Sequence, residues 1–317
     1  MHATVLLTAI AVGSIGVSAA QAGTASRAWV SGHGVDRAGC GAPTAPCRSL
    51  QYAHDEVVAA GGEIDILDPA GYGAVAITKS VSIVNDGVGT AGVQATSGDA
   101  ISIDIGPSDS VYLRGLNVDG VGHSGADGIA LRSGGELTVV NCVIRRFSDD
   151  GVLIAPSAGT AAVLIENSLS TDNVFGGVAY FGGTGPTSAT LTFDRVIVAG
   201  NSTGFDVENS QATGSLSGAI SNSISAGNSG SGVFVSALAS TPVLTLDNDR
   251  LSANRTGVLI NSVTSFHLTR TAIYQNLQYG LFDNTGVSNV RTAGDNRIAA
   301  NGLQDVSSLP FQPEPLQ

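Results

Sequence analysis

From residue 111 to the C-terminus, the chain repeats a unit of about 25 residues. A glycine followed by an apolar residue recurs eight times, with successive glycines 22 to 28 residues apart. The pairs are Gly128-Ile129, Gly151-Val152, Gly177-Val178, Gly204-Phe205, Gly232-Val233, Gly257-Val258, Gly280-Leu281 and Gly302-Leu303. Residues 244–260, LTLDNDRLSANRTGVLI, show the whole unit. Such a repeat indicates a stack in which each unit buries its apolar face against its neighbours.

Two columns of polar residues accompany the glycines. The first holds Asn141, Asn167, Asp194, Asn222 and Asn248, and the second holds Asn173, Asn201, Asn228, Asn254, Asn276 and Asn301. Asparagine tolerates the left-handed backbone conformation of a sharp bend, and its side-chain amide can bond to the neighbouring coil. The same residue type at every coil therefore predicts amide ladders that run along the stack.

The composition suits short strands and tight turns. Hydrophobic residues form 43% of the chain but aromatic residues only 5%, and there are 42 glycines, so the apolar content is mostly small and aliphatic. The fixed leucine frame of leucine-rich repeats and the Trp-Asp of WD40 blades are absent from the sequence. We therefore predict an all-β fold, a right-handed parallel β-helix of about ten coils stacked at roughly 4.8 Å.

The two ends of the chain differ from the repeats. Ser49 to Ala60 (SLQYAHDEVVAA) has apolar residues at helical spacing before Gly61-Gly62, which predicts a helix that caps the open end of the β-helix. The C-terminal SSLPFQPEPLQ contains three prolines and is expected not to join a sheet. The predicted boundaries are a signal peptide over 1–22, an N-terminal cap over 23–63, the β-helix over 64–306 and a proline-rich tail over 307–317.

The N-terminus has the pattern of a signal peptide. Val5 to Val17 is an apolar run too short for a membrane anchor, and Ala20-Gln21-Ala22 places small residues at the cleavage positions. We expect cleavage near Ala22 and a secreted or periplasmic protein. No later stretch is long and apolar enough to predict a membrane span.

Export makes the three cysteines informative. Cys40 and Cys47 enclose a short loop with two prolines, and a disulfide between them is expected in an oxidising compartment. Closing so short a loop would stabilise the fold by about 2–3 kcal/mol in the chain-entropy model. Cys142, in LTVVNCVI, is expected to be a buried, unreactive thiol.

The charge of the chain excludes one class of partner. The formal net charge is -12, Lys79 is the only lysine, and there is no arginine-rich run. Nothing would replace the counterions of a phosphate backbone, so a nucleic acid is not expected as a partner.

The segment from Trp29 to Asp86, WVSGHGVDRAGCGAPTAPCRSLQYAHDEVVAAGGEIDILDPAGYGAVAITKSVSIVND, resembles the opening of a large bacterial family. Its members are exported right-handed β-helix proteins with the pectin-lyase-like fold, and the resemblance continues through the repeats over nearly all of the expected mature chain. For that superfamily, the resemblance implies carbohydrate as the usual ligand class. It transfers no active site by itself.

Asp127, Asp149 and Asp150 are the candidate catalytic residues. Asp127 and Asp150 precede the repeated glycine on adjacent coils, so their carboxyl groups are expected within about 5–8 Å of each other. With Asp149 as a third charge, crowding would raise one pKa and leave another carboxylate ionised, as glycoside hydrolysis requires, and this separation overlaps that of inverting enzymes. The alternatives are ordinary Asp-Gly turn chemistry and a calcium site made by the same three residues.

The three aspartates are similar to those of polygalacturonases. That family places Asn-Thr-Asp, Asp-Asp and Gly-His-Gly motifs on successive coils, followed by Arg-Ile-Lys. Asp127 matches the end of the first motif, and Asp149 and Asp150 match the second. The match then stops, because Gly176 stands where the histidine would be and no basic pair follows in NSTGFDV. The basic residues that would neutralise a uronate carboxylate are therefore missing.

A row of outward positions follows the strands that start at the repeated glycines. The row comprises Ala130, Leu153, Ala179, Asp206, Phe234, Leu259 and Phe282. It is too apolar for free solvent, so we expect loops or the tail, through Leu309 and Phe311, to cover it. The alternative is a contact surface for a partner or a second copy, formed by Leu153, Asp206, Phe234, Leu259 and Phe282.

Three functions fit these residues, and the sequence leaves open whether the chain is an enzyme. The first is an exported protein that binds polysaccharide or has a structural role at the cell surface, which rests on the missing histidine and basic pair. The second is a polysaccharide-degrading hydrolase or lyase that uses the three aspartates, with or without calcium; a lyase would need a base such as Arg132 or Arg114. The third is an oligomeric adhesin or tailspike-like module that uses the apolar row.

Overall fold

The computed structural model describes residues 23–209, 213–236, 243–263, 265–285, 290–307 and 311–313 of the 317-residue chain. The predicted signal peptide and Leu309 of the tail lie outside these residues. The described residues form three parallel sheets in which each strand pairs with the equivalent strands of the coils before and after it. The predicted all-β parallel β-helix is confirmed.

The chain passes through the three sheets in turn, and strands are numbered in chain order. The first sheet contains β1 (Ala25–Val30), β2 (Val58–Ile66), β5 (Val81–Val84), β8 (Ser110–Arg114), β11 (Gly135–Val140), β14 (Thr160–Glu166), β17 (Ser188–Asp194), β20 (Leu216–Ser221), β23 (Val243–Asp247), β26 (Ser265–Thr269), β29 (Val290–Thr292) and β32 (Gln312–Pro313). The second sheet contains β4 (Val75–Ile77), β7 (Ile101–Ile103), β10 (Ile129–Leu131), β13 (Val152–Ile154), β16 (Gly176–Phe181), β19 (Thr203–Glu208), β22 (Ser231–Ser236), β25 (Thr256–Ser262), β28 (Tyr279–Asp283) and β31 (Gln304–Ser307). The third sheet contains β3 (Ala70–Gly71), β6 (Ala91–Gln94), β9 (Leu116–Asp119), β12 (Val143–Arg145), β15 (Leu169–Thr171), β18 (Ile197–Ala199), β21 (Ile224–Ala226), β24 (Arg250–Ser252), β27 (Ala272–Tyr274) and β30 (Arg297–Ala299).

The interior of the rod is a stack of apolar side chains. In the second sheet, Ile129 pairs with Val152 and Val152 pairs with Val178, so each coil places a similar residue on the one before. All three side chains are buried. Each coil therefore buries apolar surface against both neighbours, and no coil has a core of its own.

The second asparagine column is a buried hydrogen-bond ladder, as predicted. Nδ2 of Asn228 donates to Oδ1 of Asn254 at 2.8 Å, and the backbone N–H of Asn228 donates to the same oxygen at 3.0 Å. The same two bonds join each of the other successive pairs among Asn173, Asn201, Asn228, Asn254, Asn276 and Asn301. The ladder ends where Asn301 donates from its backbone and side chain to Oδ1 of Asp305.

The first asparagine column lies at an exposed bend between the first and third sheets. Its members with positive φ, between 48° and 59°, are Asn141, Asn167, Asn222 and Asn248. Asp194 was the wrong residue for this column, because Arg195 has the left-handed conformation on that coil, with a φ of 54°. Asp194 lies one residue earlier, at the end of β17, and accepts from Nδ2 of Asn222 at 2.7 Å.

The predicted capping helix starts where expected and ends early. Helix α1 (Leu50–Tyr52) continues as a π-helical turn over Ala53–Val57, and Val58 then begins β2. The expected end at Ala60 is wrong, because Val58 pairs with β1 and extends the first sheet. Among the described residues, no helix has the length and apolar character needed to cross a membrane.

The C-terminal tail contributes a strand, contrary to expectation. Gln312 and Pro313 of β32 pair with Arg291 and Thr292 of β29 as the last strand of the first sheet. An edge strand tolerates proline, because its outer side has no ladder partner. Phe311 packs against the apolar core directly before this strand. It therefore belongs to the end of the first sheet, whereas the predicted apolar row runs along the second.

The predicted disulfide is present. Cys40 and Cys47 are bonded to each other, and both are buried. Cys142 is free and buried, as expected, and burial raises the pKa of its thiol to about 11. It is therefore an unreactive core residue.

Candidate active site

Asp127, Asp149 and Asp150 lie together at the N-terminal ends of two second-sheet strands. One carboxylate oxygen of each lies within 4.8 Å of one from each of the others. Asp127 and Asp150 are both 3% exposed, whereas Asp149 is exposed. These oxygens are closer together than the about 5–8 Å expected from coil spacing.

Hydrogen bonds link the buried carboxylates from coil to coil. Oδ1 of Asp127 accepts from the backbone N–H of Asp150 at 3.0 Å. Oδ1 of Asp150 accepts from the backbone N–H of Gly176 at 2.6 Å. This is turn chemistry, in which an aspartate before a glycine bonds to the bend of the next coil. Asp127 and Asp150 therefore hold the bends in place, and any catalytic role is additional.

Gly176 is the residue that stands in place of histidine in the sequence similarity to polygalacturonases. A Cβ built on Gly176 would lie 2.6 Å from Oδ1 of Asp150 and 3.3 Å from Cβ of Ala179. A side chain therefore cannot be accommodated while Asp150 keeps its bond to this coil. The close approach of the Asp150 carboxylate accounts for a glycine at this position.

We expect Gly176→Ala to displace the Asp150 carboxylate and lower the free energy of unfolding by about 1–3 kcal/mol. Gly185→Ala is the matched control, because a Cβ there meets no heavy atom within 4 Å. Its effect should be within about 0.5 kcal/mol. Urea unfolding followed by circular dichroism measures both. Equal stability of the two variants would show that the bend does not depend on the contact between Asp150 and Gly176.

Arg132 is the basic residue beside the carboxylates. Its Nη2 donates to Oδ2 of Asp99 at 2.8 Å and to Oδ2 of Asp127 at 3.0 Å. Burial acts to lower the pKa of Arg132, but the hydrogen bond and charge of Asp99 and the charge of Asp127 raise it above the ordinary value. Arg114 pairs with Asp86 instead, at 3.2 Å. A guanidinium held by two carboxylates is poorly suited to be the proton acceptor of a lyase.

Burial shifts the ionisation of all three aspartates. It raises the pKa of Asp150 to about 7, against the bond from Gly176 and with help from the charges of Asp149 and Asp127. It raises the pKa of Asp127 to about 6, against the bond from Asp150 and the charge of Arg132. It also raises the pKa of Asp149, with the charge of Arg132 opposing. Near neutral pH, buried Asp150 can carry a proton beside the exposed Asp149 carboxylate.

A cleft of about 400 Å³ opens over Asp149 and Asp150. Its other lining residues are Leu153, Ala155, Phe175, Phe181, Ser202, Thr203 and Asp206. Phe175 is 57% exposed, which leaves most of its ring accessible to a ligand. A volume of this size, with apolar walls and a few polar groups, is typical of a small-molecule or sugar site.

Pectate lyase Pel9A has the same fold. Its crystal structure aligns with a TM-score of 0.62 over 89% of this chain and 79% of the lyase, at 15% sequence identity. The A-module of the mannuronan C-5 epimerase AlgE4 from Azotobacter vinelandii aligns with a TM-score of 0.41, at 12% identity, over 80% of this chain and 91% of the module. No protein-family model and no curated protein sequence matches the chain. The likeness to the lyase establishes the pectin-lyase-like fold and assigns no residue roles.

Asp206 is a cleft residue that the repeat pattern predicts only as a member of the apolar row. Its Oδ1 is buried and has no hydrogen-bond partner among the described residues. Burial first, then the charges of Glu208 and Asp150, raise its pKa to about 8. The sequence did contain a signal for Asp206, namely a single carboxylate in an otherwise apolar row. A carboxylate in apolar surroundings usually needs a partner, which marks Asp206 as a candidate ligand-binding residue.

The apolar row is aligned as predicted but only partly covered. The second-sheet register joins Ala130, Leu153, Ala179, Asp206, Phe234, Leu259 and Phe282 as successive partners. Leu153 is 8% exposed, whereas Phe234, Leu259 and Phe282 are half-buried. Tyr279 packs on Phe282 with ring centroids 4.8 Å apart. The row therefore offers partly accessible apolar surface beyond the cleft, and its role as a contact surface stays a prediction.

The three aspartates have the spacing of a cation site but few unengaged oxygens. Calcium takes about six to eight oxygen ligands. Both oxygens of Asp127 and Oδ1 of Asp150 already accept hydrogen bonds, one of them from the cationic Arg132. The oxygens of Asp149 and the second oxygen of Asp150 are left to coordinate a metal ion. A calcium ion here would therefore take most of its oxygen ligands from water or substrate.

Proposed function

We propose that this protein cleaves a polysaccharide by hydrolysis in the cleft of the second sheet. The observation that carries the proposal is the pair of Asp149 and Asp150, which lie in one cleft with oxygens within 4.8 Å and in unlike surroundings. Two carboxyl groups whose environments separate their pKa values are the arrangement used for acid and base roles in glycoside hydrolysis. The protein with the same fold is named a pectate lyase, and this supports a polysaccharide as the ligand class.

Asp150 is the proton donor in this mechanism. Its carboxyl group transfers a proton to the glycosidic oxygen while the bond from that oxygen to the anomeric carbon breaks. Asp149, as the exposed carboxylate, stabilises the positive charge that develops on the anomeric carbon. It does so either by taking a proton from the attacking water or by bonding to that carbon until water replaces it. In both cases one water is added across the broken bond.

Other cleft residues would bind and orient the sugar. The rings of Phe175 and Phe181 offer apolar faces against which sugar rings stack. Ser202 and Thr203 offer hydroxyl groups. Asp127 is a positioning residue, because its Oδ1 holds the backbone N–H of Asp150.

Polysaccharide binding without cleavage is the second candidate. It is favoured by the hydrogen bonds of Asp127 and Asp150, which turn chemistry accounts for without catalysis. The half-buried row of Phe234, Leu259 and Phe282 could then extend the binding surface. Export of the protein is part of both proposals, and the buried disulfide supports it, since disulfides persist in oxidising compartments.

Product analysis by mass spectrometry tests the proposal. Protein from residue 23 onward is incubated with neutral, amino and acidic polysaccharides, with calcium and with a chelator. The expected products are fragments that have each gained one water, equally with and without the chelator. Unsaturated fragments would mean elimination and overturn hydrolysis. Retardation in affinity electrophoresis without any fragments would establish the binding function instead.

A further inference from the structure

The described lining of the cleft is acidic and contains no basic side chain. Its charged members are Asp149, Asp150 and Asp206. Glu208 pairs in register with the cleft residue Phe181, which places a fourth carboxylate close to the cleft. Its charge acts on Asp206. A uronate bound here would place another negative charge among these groups, which is unfavourable in a partly desolvated site.

Two basic side chains, those of Arg132 and Lys79, are held by partners outside the cleft lining. Arg132 is held by Asp99 and Asp127. Lys79, the only lysine, donates to the carbonyl groups of His54 and Val58 at 2.6 and 2.8 Å, at the end of the capping helix. Neither side chain can neutralise a sugar carboxylate in the cleft without leaving its partners. The cleft is therefore matched to a ligand that brings positive charge.

We propose that the cleft takes a polysaccharide whose sugars carry free amino groups, and that Asp206 binds the ammonium group. This rests on the proposed function, because it assumes that the cleft of Asp149 and Asp150 is the sugar site. An ammonium group supplies three N–H donors together with a positive charge. A hydroxyl group supplies one donor and no charge, so it would leave the crowded carboxylates uncompensated.

The position of Asp206 fits this role. Asp206 follows Ala179 by one coil, about 5 Å along the rod. The Asp150 carboxylate lies beside Gly176. A Cβ built on Gly176 would lie 2.6 Å from Oδ1 of Asp150 and 3.3 Å from Cβ of Ala179. Asp206 lies two coils beyond Asp150, because Leu153 pairs with Ala179 and Ala179 pairs with Asp206. The Asp150 carboxylate reaches the intermediate coil, where it accepts from Gly176, so Asp206 is within reach of a substituent on the same sugar or the next one.

The environment of Asp206 has no explanation in the fold itself. A structural aspartate of this protein, such as Asp127, accepts a backbone N–H from the next coil. Asp206 instead has an oxygen that is buried and without a hydrogen bond among the described residues. An unsatisfied buried carboxyl group lowers stability, and a bound cation would offset that penalty.

Isothermal titration calorimetry at about pH 6 tests the proposal with three short ligands of matched length. Asp206, whose pKa is raised to about 8 in the free cleft, releases its proton when the ammonium group binds. They are an oligoglucosamine, its N-acetylated form and an oligogalacturonate. We expect the wild-type protein to bind the oligoglucosamine at least about tenfold more tightly than the N-acetylated form, and Asp206→Asn to lose that preference. Asp104→Asn, which removes an exposed carboxylate outside the cleft lining, should keep it.

Equal affinities for the charged and N-acetylated ligands, or tighter binding of the oligogalacturonate, would overturn the amino-sugar assignment. Loss of the preference in Asp104→Asn as well would show a general charge effect and also overturn the role of Asp206. The outcome is separable from that of the proposed function. Cleavage of a neutral polymer without amine preference would retain hydrolysis alone, and amine preference without cleavage would retain only the ligand assignment.

Discussion

Replacing Asp150 by asparagine is expected to lower kcat for polysaccharide cleavage by about 10²–10⁴-fold, the range for loss of a general acid. Asparagine has nearly the same shape and keeps an oxygen that can accept the N–H of Gly176, so the bend should survive. It cannot supply the proton that the leaving oxygen needs. The substrate contacts made by Phe175 and Phe181 remain, so KM should change little.

The pH profile gives this prediction a direction. Asp150 must be protonated to act, and burial first, then the charges of Asp149 and Asp127, raise its pKa to about 7. Activity should therefore be lost as the pH rises through about 7. The acidic limb should report the protonation of Asp149, which must be ionised. Initial rates between about pH 4 and pH 9 on a soluble substrate measure both limbs.

Asp104→Asn is the control for the loss of one carboxylate, since Asp104 is exposed and does not line the cleft. It should retain the wild-type rate and pH profile. Circular dichroism and the melting temperature of Asp150→Asn check that the fold is intact. A correctly folded Asp150→Asn protein with at least half the wild-type rate would make Asp150 a turn residue and nothing more.

The fold could be predicted from the sequence because one unit is repeated many times. Aligning the chain on its glycines already placed Leu153, Asp206 and Phe234 in one row, and the second-sheet register agrees. The repeat pattern gave a wrong position where the bend of one coil depends on a single residue. The bend on that coil was assigned to Asp194, one position too early, because Arg195 adopts the left-handed conformation, which nothing in its residue type favours.

The candidate site could be predicted only as far as backbone stacking determines it. Coil spacing brings Asp127 and Asp150 together, but the final distance depends on which N–H each side chain accepts. The contact of Arg132 with Asp127 depends on how a long side chain crosses the surface. The place of Asp206 in the cleft depends on loop shape, which the repeat does not specify.

Replacing Asn254 by alanine is expected to lower the free energy of unfolding by about 4 kcal/mol or more, from several buried groups that each lose a partner at about 1–3 kcal/mol. Asn254 is fully buried in the ladder. Its Oδ1 accepts from the backbone and side chain of Asn228 at 3.0 and 2.8 Å. Its Nδ2 donates to the carbonyl of Ser225 at 3.0 Å and to Oδ1 of Asn276 at 3.1 Å.

Asn248→Gly is the control for this prediction, because Asn248 belongs to the exposed first asparagine column and has a φ of 59°. Glycine keeps the left-handed bend and removes only the exposed bond to Asn222, so the change should be within about 0.5 kcal/mol. Urea unfolding of both variants gives the comparison. A loss below about 1 kcal/mol for Asn254→Ala would mean that water replaces the amide in the ladder. A large loss confined to the buried ladder would show that amide bonds between coils, together with apolar stacking, hold the rod in register, since no coil has a core of its own.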